Sequence, residues 1–91
     1  MVMKLKKGFV LEEVGGSYLA VATGALADTF RGLIRLNGTG AFIWRLLSER
    51  DMTRDGIVDA VLAAYDAPRD RVEQDVDGIL ATLTENGILD A

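Results

Sequence analysis

Gly32-Leu33-Ile34-Arg35-Leu36-Asn37-Gly38-Thr39-Gly40-Ala41-Phe42-Ile43-Trp44-Arg45-Leu46-Leu47 changes its hydrophobic period halfway along. In the first five residues, Ile34 and Leu36 fall on one face and Leu33 and Arg35 on the other, the period-two pattern of a strand. From Phe42 onward, Phe42, Ile43, Leu46 and Leu47 recur at helical spacing, with Trp44 near the border of that face. Between the two, Asn37 and Thr39 each offer a side-chain oxygen that can cap a helix start. Gly38-Thr39-Gly40 reads as a tight strand-to-helix entry. It lacks the glycine spacing and the Lys-Ser/Thr pair of a nucleotide-binding loop. A strand therefore runs straight into a helix, and the flanking sequence decides the fold around that junction.

Upstream lie two more strand signals. Phe9 to Val14 mixes apolar and charged positions, Ser17 to Ala22 is of aromatic and β-branched type, and Gly15-Gly16 between them is a two-residue hairpin signal. Thr23-Gly24 opens a loop that runs to about Phe30, with a short helical turn allowed at Ala25-Leu26-Ala27. Downstream come two more helices. Thr53 caps one, with Asp55 in its first turn and Ile57, Val58, Val61, Leu62 and Tyr65 as its buried stripe. Asp66-Ala67-Pro68 breaks it, and Pro68 suits the first position of the next. Val72, Val76, Ile79, Leu80 and Leu83 form the last stripe, Gly87 ends that helix, and Ile88 and Leu89 fold back onto the core. The pattern is α+β and winged helix-turn-helix-like: a three-stranded antiparallel sheet followed by three helices. Ninety-one residues make a single domain, 1–91.

Composition removes several kinds of chemistry. The chain has no cysteine and no histidine, so thiolate nucleophiles, disulfides and imidazole bases or ligands are excluded. Asp70, Glu73 and Asp77 share a helix face, but they match no calcium-loop pattern and read as an exposed acidic stripe partly offset by Arg69 and Arg71. No catalytic residue, metal site or cofactor is expected. Lys4, Lys6 and Lys7 precede an apolar run too short for a signal peptide, and no stretch approaches the roughly 20 residues of a membrane helix. A cytoplasmic protein without membrane contact is expected. Residues 1–36 carry five basic and three acidic side chains and residues 37–91 five and eleven, so +2 and −6 combine to the net −4. The acidic half is either a solvated face or a surface for a basic partner.

Two features bear on binding. Gly78 sits mid-helix, where glycine is unfavourable by about 0.5–1 kcal/mol relative to alanine. It shares a stripe with Arg71, Asp75 and Thr82, so either another backbone approaches there or the helix packs tightly on the sheet. The third strand lacks proline and lysine, the usual guards of a sheet edge, so a peptide strand or a second copy of the chain can add to it.

The stretch from Gly32 to Leu47 resembles the PqqD-like family. Asp75-Val76, Ile79-Leu80 and the ending Asn86-Gly87-Ile88-Leu89 resemble that family's last helix and tail. The resemblance implies a non-catalytic peptide chaperone that binds the leader of a ribosomally made precursor peptide by strand addition. Such a domain presents the peptide to a modifying enzyme, often a radical SAM protein. Carried onto this chain, the site would use Leu33, Ile34, Arg35 and Leu36 on one side and Arg71, Asp75, Gly78, Ile79 and Thr82 on the other. Departures in the loop from Thr23 to Arg31 and at Gly38 point to a modification system other than pyrroloquinoline quinone synthesis. The alternative is a winged-helix DNA-binding regulator, but neither candidate recognition helix is basic, and no nucleic-acid partner is expected.

Overall fold

The computed structural model describes residues 2–23 and 34–90. The expected loop after Thr23, with its helical turn at Ala25 to Ala27, lies outside those residues, as do Gly32 and Leu33.

The hairpin forms as its turn requires. Strand β2 (Phe9–Val14) pairs with β3 (Ser17–Ala22) from Phe9↔Ala22 to Val14↔Ser17. Gly15 and Gly16 have φ of 57° and 82°. Both central residues of this turn type need positive φ, which glycine reaches without a Cβ clash. Strand β4 (Ile34–Leu36) joins on the far side of β3 through Tyr18↔Leu36, Leu19↔Arg35 and Ala20↔Ile34. The order β2-β3-β4 completes the three-stranded antiparallel sheet.

Helix α1 (Gly38–Glu49) starts at once, and Asn37 rather than Thr39 is its cap, accepting a hydrogen bond from Gly40 N at 2.8 Å. Thr53 caps α2 (Arg54–Ala64) through Gly56 N at 3.0 Å. Pro68 stands just before α3 (Arg69–Glu85), one residue earlier than expected, because its extended ψ of 145° makes it the half-in flanking residue. At the other end Gly87 N donates to Thr84 O and Ile88 N to Leu83 O, with Gly87 at φ 72°. These paired bonds close the helix and turn the chain inward. Ile88 is fully buried as a result.

A second, smaller sheet is an addition to the sequence reading. Strand β1 (Val2–Leu5) lies between β5 (Met52–Thr53) and β6 (Leu89–Asp90), antiparallel to both. It ties the start of the chain to the α1–α2 connection and to the tail, with Met3 and Leu5 packed on the core. Ile43, Ile57, Val58, Val76, Leu83 and Ile88 are the largest fully buried side chains. Trp44, read as a packing residue near the border of its helix face, is only 4% exposed and belongs to the same core. Tyr65, expected in the buried stripe of α2, is instead exposed, because it stands at that helix's C-terminal cap. Among the described residues no polar or charged side chain is buried.

Candidate functional site

The free side of β4 can be read from the hairpin. A two-residue turn makes Val14 and Ser17 the hydrogen-bonded pair that closes it. Along β3 the backbone groups then alternate, so Tyr18 and Ala20 face β4 and bond Leu36 and Ile34. Leu19↔Arg35 is the non-bonded pair, which leaves the Arg35 N–H and C=O pointing away from the sheet. Among the described residues no strand pairs on that side.

Across from this edge runs α3, and between them is a cleft of about 260 Å³. Arg35, Leu36 and Asn37 form one wall; Gln74, Asp75, Gly78, Ile79 and Thr82 form the other. Ile34 and Leu36 are 7% and 6% exposed, so their side chains serve the core and the strand offers the cleft mainly its backbone. Arg35 is exposed. Arg71 does not line this cleft; it lines a separate hollow further toward the start of α3. Leu33 lies outside the described residues. Asn37 and Gln74 were not anticipated. Gln74 could have been, because at 100° per residue it lies only about 40° around the helix from Gly78. Asn37 gave no such signal beyond its cap.

Gly78 resolves one of the open alternatives. A Cβ built there meets nothing within 4 Å, so tight internal packing does not explain the glycine. Thr82 Oγ1 donates to Gly78 O at 3.0 Å, within the helix.

The charges on α3 divide by flank. On the side toward α2, Arg54 donates to Asp77 through Nε at 2.9 Å and through a terminal nitrogen at 3.0 Å, and also to Glu73 and Asp55. Arg69 lies 3.6 Å from Asp59 and 4.0 Å from Glu73. Hydrogen bonding from Arg54 holds the Asp77 carboxyl below its ordinary value, and the same contacts push the Arg54 guanidinium further toward its charged form. Among the described residues, Arg35, Gln74 and Asp75 of the cleft, and Arg71 of the neighbouring hollow, take part in no side-chain hydrogen bond or ion pair. No group of carboxylates among the described residues could hold a metal ion. Of the acidic stripe, Glu73 and Asp77 are thus matched by Arg54 and Arg69, while among the described residues Asp70 and the expected partner Arg71 take part in no ion pair.

The family described as coenzyme PQQ synthesis protein D (PqqD) matches residues 8–89. The chain belongs to the PqqD family. Two solved structures resemble this PqqD-family domain over nearly their whole length. One is "TbiB1 in Complex with the TbiA(beta) Leader Peptide", at 25% identity and a TM-score of 0.73, covering 97% of this chain and 95% of the other. The second is "Lasso peptide synthetase B1 complexed with the leader peptide", at 20% identity and TM-score 0.68, covering 98% of each, and shows the shared fold. No curated protein matches the domain.

Proposed function

We propose that this PqqD-family domain is a non-catalytic carrier that takes a precursor's leader peptide as an added strand on β4, against α3. The observation that carries this reading is Arg35, whose outward backbone faces a cleft with Gly78 on its opposite wall. The solved relative described with a bound leader peptide supports the same ligand class. Two backbone hydrogen bonds at Arg35 give only about 1–3 kcal/mol, against an association cost of about 4–15 kcal/mol. Side chains pointing toward Gly78 and Ile79 must supply the rest, and the bare helix surface at Gly78 lets the peptide lie close.

On this reading the domain works in the cytoplasm and delivers the peptide to a modifying enzyme, with a radical SAM protein as the first partner to test. No helix among the described residues is long and apolar enough to cross a membrane. A DNA-binding role gains nothing from the site, because Arg54 and Arg69 are spent on carboxylates of α2 and α3.

Gly78→Leu tests the reading directly. The new side chain has open space and a better helix propensity, so the fold is kept while the cleft is filled. Peptides are selected from a random phage-displayed library, and their affinity is compared for the native and Gly78→Leu proteins by calorimetry. A loss of about tenfold or more supports the site; unchanged affinity would falsify it.

A further inference from the structure

The cleft does not end at Asp75. That residue also borders a second hollow, of about 410 Å³, between the end of α2 and the start of α3. We propose that this hollow is an anchoring subsite for one large apolar side chain of the bound peptide, with a lysine or arginine next to it in the peptide sequence. The proposal rests on the peptide-binding reading and adds to it a position and a side-chain class.

The floor of the hollow is apolar: Val61 and Val72 line it, and both are buried in the core. One wall is Tyr65, whose ring meets Phe42 edge-on at 5.5 Å and 88°. That contact fixes the ring while leaving Tyr65 43% exposed, one of the few large apolar side chains so exposed among the described residues. Such a fixed ring can take an apolar ligand with little loss of side-chain freedom. Pro68, with its restricted φ, stiffens another part of the lining.

The rim carries Asp66, Asp75 and Arg71, one negative charge in excess. Among the described residues none of the three has an ion-pair partner. A cationic neighbour beside the apolar anchor therefore finds unmatched carboxylates. The spacing also follows. Seven residues separate Gly78 from Arg71, about 10 Å of helix, which an extended peptide covers in about three residues. The anchor is thus expected about three positions from the peptide residue that crosses Gly78. This also gives Arg71 a place in the site, one step beyond the strand-pairing cleft.

A random phage-displayed peptide library is selected against the native protein, and the winners are measured against three variants. Ala67→Phe fills the hollow, Tyr65→Ala removes its exposed wall, and Gly78→Leu blocks the strand cleft. The expected result is enrichment of a large apolar residue with an adjacent lysine or arginine. Affinity should drop about tenfold or more in Ala67→Phe, with a smaller drop in Tyr65→Ala. If only Gly78→Leu weakens binding, the subsite is wrong and the strand reading stands. If none of the three matters, or no peptide is enriched, both fall. Should Ala67→Phe fail to fold, the exposed Tyr65→Ala decides.

Discussion

Gly40 and Gly78 both lie inside helices, yet a methyl group added to each would meet opposite surroundings. At Gly40 it would sit 3.1 Å from Leu36 Cβ and 3.3 Å from a Leu36 methyl, because the first turn of α1 backs onto the end of β4. Gly40→Ala is expected to lower stability by about 1–3 kcal/mol, the range for overpacking, in a urea titration. At Gly78 the methyl meets nothing. Gly78→Ala is expected to raise stability by about 0.5–1 kcal/mol in the same titration. A destabilised Gly78→Ala protein would show that the glycine serves the fold rather than the cleft. The sequence singles out Gly78 because a glycine stands out mid-helix, but whether it faces the sheet or open space is a tertiary fact. Trp44 shows the same limit. Its place beside the apolar stripe marks it as core or core-edge, and only the tertiary packing settles which.

At the scale of elements, what binds α2 to α3 on one flank leaves the other flank free. Arg54 reaches from the first turn of α2 to Asp77 and Glu73 of α3. The Asp77 carboxyl is held below its ordinary value, so its contribution to stability is present at neutral pH. It is lost as pH falls through that lowered value. Asp77→Asn should therefore melt below the native protein at neutral pH and low salt, with the gap narrowing in strong acid and at high ionic strength. An equal gap under all conditions would mean that the change acts by packing. Capping gives a second expectation: Asn37→Ala should cost about 1 kcal/mol, read by chemical denaturation, since Gly40 N loses its acceptor. Caps and the glycine hairpin are written within a few residues, which is why β2, β3 and the helix starts were legible. Strands β1, β5 and β6 were not. Two of them are two residues long, and β1 pairs with partners some fifty and eighty-five positions away, beyond any local period. The helical wall of the cleft was legible for the stripe from Asp75 to Thr82. The hollow beside Tyr65 needs three helices to form, so no spacing could announce it.

For the whole molecule, the free edge of β4 faces a choice of partners. On the proposed reading a bound peptide occupies that edge, and the same edge would let two copies pair β4 to β4 at high concentration. Sedimentation should show a concentration-dependent dimer that saturating peptide converts to monomer. A dimer indifferent to peptide would place the self-contact elsewhere. Among the described residues no polar side chain is buried, so on the proposed reading discrimination falls to the cleft rim, where Arg35, Gln74 and Asp75 have no side-chain partner. That Arg35 is the one outward-facing residue of β4 among those described has a further consequence, in time rather than in strength. On the proposed reading the described part of β4 offers a peptide backbone bonds only at Arg35, which fits a complex of about micromolar affinity. With association at about 10⁵–10⁷ M⁻¹s⁻¹, such a complex lasts on the order of a tenth of a second to ten seconds. That is the span of one to many turnovers of an ordinary enzyme at roughly 10 s⁻¹. On the proposed reading, tighter binding would hold the cargo past the point of delivery, whereas a micromolar complex would release it on the clock of the chemistry it serves.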